Sequence, residues 1–151
     1  MPTHHEAFFE HESFAVIGHS QKRSFPKLTY NGLKKLGKTV YPIDQSAEAI
    51  EGDPAFPDLS ALPGPVQGVV LEVPREETEA WVKKVAEAGV KDVWIHMGTE
   101  TPEAIEVALS ASEPTVFLSD SGDNPGAGGT TDVTLLLRTL LERGAPNALY
   151  A

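Results

Sequence analysis

Short apolar segments alternate with amphipathic segments along the whole chain. Residues 13–18 (SFAVIG) are nearly all apolar and end at a glycine, which is typical of a strand buried on both faces of a parallel sheet. Residues 133–141 instead repeat apolar side chains at i, i+3, i+4, i+7 and i+8, the spacing of one helix face. The same criteria predict five strands, at residues 13–18, 38–43, 68–73, 92–95 and 115–118. Strands that alternate with helices predict one α/β domain with a parallel sheet, spanning residues 1–151.

The predicted helices between these strands carry recognisable start and stop signals. Pro26 suits the first turn of a helix over residues 26–36, and Gly37 suits the position after its end. Pro74 and Thr101 suit the beginnings of the next two helices, which end near residues 89 and 109. The residues expected on the buried faces of the three helices are Leu28, Leu33, Leu36, Trp81, Val82, Val85, Ala86, Ala104, Ile105, Ala108 and Leu109. We expect a connection with at most one short helical turn at residues 45–65.

The composition is that of an ordinary soluble domain, with 40% hydrophobic residues in a chain of 151. The absence of cysteine excludes thiol nucleophiles, thiolate metal sites and thiol redox switches. The net charge of −10 argues against binding to nucleic acids or anionic membranes. No apolar run approaches the roughly 18 residues of a membrane span, and the N-terminus lacks the apolar core of a signal peptide, so we expect a cytoplasmic protein.

The positive charge is concentrated near the N-terminus. Residues 1–50 carry six basic and five acidic residues, whereas residues 51–113 carry four basic and thirteen acidic ones. All six basic residues of the first part lie between Lys22 and Lys38. Such a run is most simply explained as a solvated helix face. However, open α/β sheets bind ligands beyond the carboxyl ends of their strands, and the loop after the first strand lies within this basic segment.

That loop, GHSQKRSFPK, has the chemistry of a weak phosphate site. It contains one glycine, so it does not match the G-x-G-x-x-G pattern of dinucleotide-binding proteins. It does offer the hydroxyls of Ser20 and Ser24, the cations Lys22, Arg23 and Lys27, and backbone N–H groups near a helix start. An ordinary strand-to-helix loop with a solvated basic turn is the alternative.

Five segments in order, FAVIGHS, KRSFPK, VYPID, VVLEVP and VWIHMG, resemble the small CoA-binding domain family. This family is similar to the N-terminal domain of the succinyl-CoA synthetase α-subunit, and the resemblance covers about residues 8–110. It implies a three-layer Rossmann-like sandwich whose five-stranded parallel sheet has the order 3-2-1-4-5, with helices on both faces. It also implies that CoA lies across the carboxyl ends of the strands.

The resemblance further implies which residues contact CoA. By position, these are Gly18, His19 and Ser20 at the pyrophosphate, Arg23, Ser24 and Lys27 near the phosphates, Pro42 and Ile43 beside the adenine, Val73 and Pro74 along the cleft, and Met97 and Gly98 toward the pantetheine arm. The chain departs from the family pattern at His19, Asp44 and His96, where alanine, asparagine and glutamine are usual. A carboxylate at Asp44 would repel a 3′-phosphate and would suit the ribose hydroxyls of a nicotinamide cofactor.

The tail of the chain resembles a different family. Residues 119–146 (SDSGDNPGAGGTTDVTLLLRTLLERGAP) are similar to the C-terminal region of the MlrC-like, or microcystinase-type, metallopeptidases. Two unrelated resemblances, joined near residues 108–113, suggest a recombined or engineered chimera; a natural divergent tail is the alternative. Asp120, Asp123 and Asp132 lack the ligand spacing of an EF-hand, so we predict no metal site there and expect structural roles. This loop could still lie over one end of the cleft.

The histidines do not predict catalysis. We expect His4, His5 and His11 to lie in a frayed N-terminal segment. His19 and His96 follow predicted strands, but no serine–histidine–acid arrangement accompanies them, so no catalytic residue is assigned. The sequence therefore predicts a module that binds CoA or another phosphorylated nucleotide without catalysis. The alternative is an enzyme fragment, dependent either on a nicotinamide cofactor bound through Asp44 or on a metal bound by the aspartate loop.

Overall fold

The predicted alternation of strands and helices is present in the computed structural model, which describes residues 4–90, 92–96, 99 and 101–110. The helices are α1 (His4–Glu10), α2 (Lys27–Lys35), α3 (Thr78–Glu87) and α4 (Pro102–Ser110), and the strands are β1 (Ser13–Gly18), β2 (Thr39–Asp44), β3 (Ala49–Ile50), β4 (Asp53–Pro54), β5 (Gly68–Leu71) and β6 (Asp92–Ile95). Single 3₁₀ turns span Leu59–Ala61 and Arg75–Glu77. None of the described helices has the length and apolarity needed to cross a membrane. The fifth strand predicted at 115–118, the final helix and the aspartate loop lie outside the described residues.

The main sheet contains four parallel strands in the order β2-β1-β5-β6 within the described residues. In its register, Val16 of β1 lies opposite Pro42 of β2 on one side and opposite Val70 of β5 on the other. All six residues of β1 except the first, and all four of β5, are buried. These two strands are therefore the centre of the sheet, as their continuous apolar sequences indicate.

The expected strand order 3-2-1-4-5 is wrong in the position of the third major strand. That strand, β5, pairs with β1 rather than lying outside β2. The outer side of β2 is occupied instead by Phe56, whose N–H donates to the Pro42 carbonyl at 2.9 Å and whose carbonyl accepts from the Asp44 N–H at 3.0 Å. Pro42 has no N–H to give to a second neighbouring strand, which also suits β2 to the edge of the sheet.

Helices cover both faces of the sheet, which confirms the predicted three layers. Alternate residues of each strand point to opposite faces. Ala15, Ile17 and Leu71 belong to a core that includes residues of α3 and α4, such as Trp81 and Ile105. On the other face, the second core joins residues of β1 and β5 to α1 and α2; its buried members are Phe8, Phe14, Val16, Phe25, Tyr30, Leu33, Ile50 and Val70.

Two segments differ from prediction: the N-terminal segment forms a helix, and α2 buries a different face. The N-terminal segment is helical rather than frayed, and Phe8 of α1 is only 2% exposed, with its ring 5.3 Å from that of Phe14. In α2, Tyr30 and Leu33 are buried, whereas Leu28 is 93% exposed, and Leu36, which directly follows the helix, is 66% exposed. Successive helical residues turn by about 100°, so Leu28 lies about 200° from Tyr30. Because Tyr30 packs against the sheet, Leu28 faces away from it.

Helix α4 begins after Thr101 as predicted, whereas α3 begins at Thr78, after the 3₁₀ turn Arg75–Glu77, rather than at Pro74. Thr101 caps α4, since its Oγ1 accepts a hydrogen bond from the Ala104 N–H at 3.0 Å. The buried residues of the two helices include the expected Trp81, Val82, Val85, Ala104, Ile105 and Ala108. Ala86 is exposed, contrary to expectation. The exposure of Ala86 shows that the buried face of α3 is narrower than its apolar residues suggest.

A short β-hairpin that was not predicted follows β2. Strands β3 and β4 pair antiparallel around Glu51 and Gly52, whose φ angles are 52° and 86°. Positive φ at both central residues is the requirement of a type I′ turn. Asp53 on this hairpin accepts hydrogen bonds from the Tyr30 hydroxyl and from Lys34 of α2. Residues 45–65 were predicted to form a mostly irregular connection. Their hairpin is instead hydrogen-bonded to α2.

Candidate functional site

The best-placed crevice for a ligand lies at the carboxyl ends of β1 and β5. The chain leaves β1 through α2, on one face of the sheet, to reach β2, and it leaves β5 through α3, on the opposite face, to reach β6. The loops that follow β1 and β5 consequently diverge, which is the topological switch point at which open α/β sheets bind ligands. Residues 19–26 form one wall and residues 72–77 form the other.

The loop after β1 is held tightly at its base. A Cβ atom on Gly18 would lie 2.7 Å from Cδ2 of Phe25 and 3.0 Å from Cδ of Pro26, so a larger residue does not fit. The His19 carbonyl accepts hydrogen bonds from the N–H groups of Lys22 and Arg23, both at 2.9 Å. These contacts curl the chain into a compact turn directly above the end of β1.

Asp44 fastens this loop to the loop after β2. Asp44 is only 1% exposed. Its carboxylate accepts hydrogen bonds from the N–H of Ser20 at 2.8 Å and from the N–H and hydroxyl of Ser46 at 2.8 and 2.6 Å. Burial opposes ionisation, but the hydrogen bonds from Ser46 and Ser20 hold the pKa of Asp44 below its ordinary value. Both carboxylate oxygens are thus engaged within the protein, and binding ribose hydroxyls would require breaking these bonds.

Glu77 connects the two walls of the crevice. Its carboxylate accepts hydrogen bonds from His19 Nδ1 and Lys22 Nζ, each at 2.8 Å from Oε1. Partial burial acts to raise the pKa of Glu77, but the hydrogen bonds from Lys22 and His19 outweigh it and lower that pKa. The hydrogen bond to Glu77, together with the negative charge of that carboxylate, raises the pKa of the Lys22 ammonium. At neutral pH Glu77 is therefore a carboxylate held against the Lys22 ammonium and the His19 ring.

Glu72 forms a second, deeper contact between the walls. Its side chain is 13% exposed, with Oε1 3.4 Å from Nη2 of Arg23 and Oε2 3.8 Å from Nε2 of His96. The Nδ1 atom of His96 is buried and has no hydrogen-bond partner among the described residues. An unsatisfied buried polar atom is costly, so it marks a place where a ligand or water would be stabilised.

The residues that the family resemblance assigned to CoA separate into three groups in the structure. Four of them, Gly18, Pro42, Ile43 and Val73, are buried beneath the surface. Six reach the surface, namely His19, Ser20, Arg23, Ser24, Lys27 and Pro74. Met97 and Gly98 lie outside the described residues. Lys27 is directed to the hairpin, where its Nζ lies 2.8 Å from Oε1 of Glu51.

Sequence reasoning missed the acidic wall of the crevice. Glu72 and Glu77 were not predicted to be site residues, although Glu72 lies near the end of the third predicted strand and Glu77 follows that strand closely. Their position after a central strand was the available signal, since the carboxyl ends of central strands meet at the crevice.

A small recess extends the crevice beside Glu77. It has a volume of about 140 Å³ and is lined by Gln45, Glu77, Ala80, Trp81 and Lys84. Lys84 Nζ lies 4.5 Å from the centroid of the Trp81 indole, a cation–π distance. Among the described residues, no cluster of three or more histidine, aspartate or glutamate side chains could hold a metal ion.

Comparison with known families divides the chain into two parts. A family model described as the CoA binding domain matches residues 12–117, and a second, described as the MlrC C-terminus, matches residues 118–151. Among curated proteins, the chain is 33% identical over 92 residues to the alpha subunit of acetate–CoA ligase (ADP-forming) II from Pyrococcus furiosus. This match covers 58% of the chain and 20% of the subunit, so the chain spans a small part of that relative.

Solved structures share the fold. A hypothetical protein from Pyrococcus horikoshii OT3 superposes with a TM-score of 0.67 at 21% identity, covering 91% of this chain and 87% of that one. The apo form of the dinucleotide forming acetyl-coenzyme A synthetase 1 of Ca. Korarchaeum cryptofilum matches with a TM-score of 0.57 at 26% identity, covering 70% of this chain and 25% of that chain. The architecture described above is therefore shared with proteins whose names include a CoA synthetase.

Proposed function

Because the chain belongs to the CoA binding domain family, whose model matches residues 12–117, we propose that it binds CoA, or another phosphorylated nucleotide, without catalysing a reaction of its own. The observation that carries this proposal is the group of His19, Lys22 and Arg23 on one wall of the switch-point crevice. The cations Lys22 and Arg23, with the His19 ring as a further hydrogen-bonding group, are suited to phosphates at this edge of an open α/β sheet.

The residues present fit the diphosphate and the base of such a ligand. Arg23, Lys22 and His19 would hold the diphosphate. The N–H groups of residues 20–23 already donate within the protein, so these side chains carry most of the recognition. The recess beside Glu77 offers the nucleotide base an aromatic wall from Trp81, next to the Lys84 ammonium, which is itself paired with Asp58. CoA, when bound, supplies a thiol that carries acyl groups as thioesters.

The absence of catalysis in the proposal follows from how the acidic groups are used. Asp44 is committed to holding two loops together, and Glu72 and Glu77 balance cations across the crevice. Asp44 and Glu77 are poorly suited to act as general bases, because their hydrogen bonds stabilise the ionised form and lower the pKa of each carboxyl group. The curated relative contains much more chain than this one, which is consistent with a binding module whose reaction requires other parts.

Isothermal titration calorimetry with CoA tests the proposal. We expect wild type to bind and Arg23→Ala to bind about tenfold more weakly, since a charge-assisted contact to a phosphate is lost. Lys83→Ala is the matched control, because it removes a positive charge from α3 whose described partner is Glu79 rather than a crevice residue. Absence of CoA binding by wild type, or equal affinities for wild type and Arg23→Ala, would contradict the proposal. Stronger binding of NAD than of CoA would favour the nicotinamide alternative.

We also propose that the chain joins segments of two families, by recombination or by engineering. The support is the succession of two family matches, which meet between residues 117 and 118. The junction predicted near residues 108–113 precedes this boundary by a few residues. A natural homologue that aligns without interruption over all 151 residues would contradict the proposal.

A further inference from the structure

We infer that Glu77 is an internal competitor of the ligand: its carboxylate occupies the place where a ligand phosphate would meet His19 and Lys22, and it thereby sets the affinity of the crevice for phosphates. This inference rests on the proposed function. It concerns a residue of the opposite wall, which the family resemblance did not assign to CoA.

In the contact between Glu77 and the residues His19 and Lys22, the backbone position of Glu77 is fixed. The Glu77 N–H donates to the Pro74 carbonyl at 2.8 Å, within the 3₁₀ turn that leads into α3. The next residue, Thr78, is fully buried, and its hydroxyl donates to the Thr99 carbonyl. The backbone at Glu77 is therefore anchored to the core, and its carboxylate reaches across the crevice from a defined position.

The other end of the contact can be released. Lys22 is on the loop after β1 and its side chain is 50% exposed, whereas that of Glu77 is 23% exposed. Ion pairs with this degree of exposure are weak, because water and salt compete for both partners. A phosphate group brings up to two negative charges and three acceptor oxygens, so it can replace one carboxylate at the ammonium and imidazole.

Glu72 is a less suitable competitor. It is more buried than Glu77, and its distance to Arg23 is longer, 3.4 Å against the 2.8 Å that separates Glu77 from Lys22. Removing Glu72 would also leave the half-buried Arg23 without its described carboxylate. Glu77 is therefore the better candidate of the two. When its charge is removed, His19 and Lys22 remain accessible to a ligand.

The experiment compares Glu77→Gln with Glu76→Gln. Both substitutions remove one negative charge from the same 3₁₀ turn, but Glu76 is exposed and makes no hydrogen bond to Lys22 or His19 in the described structure. The probe is inorganic pyrophosphate, titrated calorimetrically into each protein. We expect Glu77→Gln to bind it about fivefold more tightly than wild type, and Glu76→Gln to differ from wild type by less than about twofold.

A charge-retaining variant separates competition from altered folding. Glu77→Asp keeps the carboxylate but shortens the side chain by one methylene, so it cannot reach His19 and Lys22 as Glu77 does. We expect its affinity for pyrophosphate to lie between those of wild type and Glu77→Gln. This variant decides the question if Glu77→Gln does not fold.

The possible outcomes distinguish the two proposals. Equal gains in Glu77→Gln and Glu76→Gln would overturn the inference, because a general charge effect would explain them. Unchanged or weaker pyrophosphate binding in Glu77→Gln, or none to any variant, would also overturn it. CoA binding by wild type that is weakened in Arg23→Ala would still support the proposed function in those cases. Conversely, tighter pyrophosphate binding by Glu77→Gln without any binding of CoA would support the competitor and contradict the proposed ligand.

Discussion

Replacing Asp44 by asparagine should destabilise the protein substantially, although the two side chains have nearly the same shape. The buried carboxylate accepts three hydrogen bonds, from the N–H of Ser20 and from the N–H and hydroxyl of Ser46. Asparagine has one acceptor oxygen, so its NH₂ group must face at least one of these donors. The variant loses one hydrogen bond outright and loses the negative charge that strengthens the others.

The size of the effect follows from those contacts. A hydrogen bond to a charged group contributes about 1.5–3 kcal/mol to stability. A buried donor that loses its partner destabilises the folded protein by about 1–3 kcal/mol. We therefore expect the free energy of unfolding to fall by about 2–3 kcal/mol. For a chain of this length, that corresponds to a decrease in Tm of roughly 4–12 °C.

Urea unfolding followed by tryptophan fluorescence measures this change. Glu48→Gln is the control, because it removes one negative charge from an exposed side chain of the same loop region. The control should leave the free energy of unfolding within about 0.5 kcal/mol of wild type. A loss of less than about 0.5 kcal/mol in Asp44→Asn, or a loss equal to that of the control, would refute the role assigned to Asp44.

The same carboxylate predicts a dependence of stability on pH. The pKa of Asp44 is lower in the folded protein than its ordinary value of 3.8, so the folded state binds the proton less readily than the unfolded chain does. The stability contributed by Asp44 is fully present above the unfolded pKa and is lost as the pH falls through the folded one. Glu51, Asp53 and Glu77 also have lowered pKa values and contribute in the same direction. Between pH 5 and pH 2, Asp44→Asn should therefore lose less stability than wild type does.

Three further substitutions test the local structure by urea unfolding. Gly18→Ala should cost about 1–3 kcal/mol, because its Cβ would lie 2.7 Å from the Phe25 ring, and a neutral result would mean that this ring moves aside freely. Gly32→Ala should instead stabilise the protein by about 0.5–1 kcal/mol, since it lies within α2 with no atom within 4 Å of the added Cβ; destabilisation would contradict that assignment. Thr101→Ala should cost about 0.5–2 kcal/mol through loss of the α4 cap, whereas Thr101→Ser should retain most of the stability; equal losses in both would argue against the cap.

The elements that the sequence predicted well are those whose signals are local. The apolar runs at β1 and β5, the cap at Thr101 and the apolar spacing in α3 each depend on residues close together in the chain. The hairpin around Glu51 and Gly52 was missed, because Glu-Gly is not one of the dipeptides, such as Asn-Gly or Asp-Gly, that typically mark a two-residue turn. Its strands are only two residues long, so they show almost no periodicity.

The strand order could not be obtained from local signals. It depends on what occupies the outer side of β2, and this is settled by hydrogen bonds between Phe56 and residues 42 and 44. Pro42 was a signal for an edge strand, because it has no N–H to donate to a strand on the outer side of β2. The order 3-2-1-4-5 implied by the family resemblance nevertheless placed β5 on the outer side of β2. Burial of all four residues of β5 instead requires a central position, with helices over both of its faces.

The contacts of the acidic residues explain how the proposed phosphate site is compatible with a net charge of −10. They act in two different ways. Asp44 is buried and hydrogen-bonded, so its charge is compensated by loop N–H groups and a hydroxyl. Glu72 and Glu77 are paired with cations, so without a ligand the crevice carries little excess charge of either sign. A phosphate that displaces Glu77 meets cations already positioned for it, but it must overcome both that contact and the acidic surroundings. Affinity at such a site should therefore depend more on the local exchange of partners at His19 and Lys22 than on the net charge of the chain.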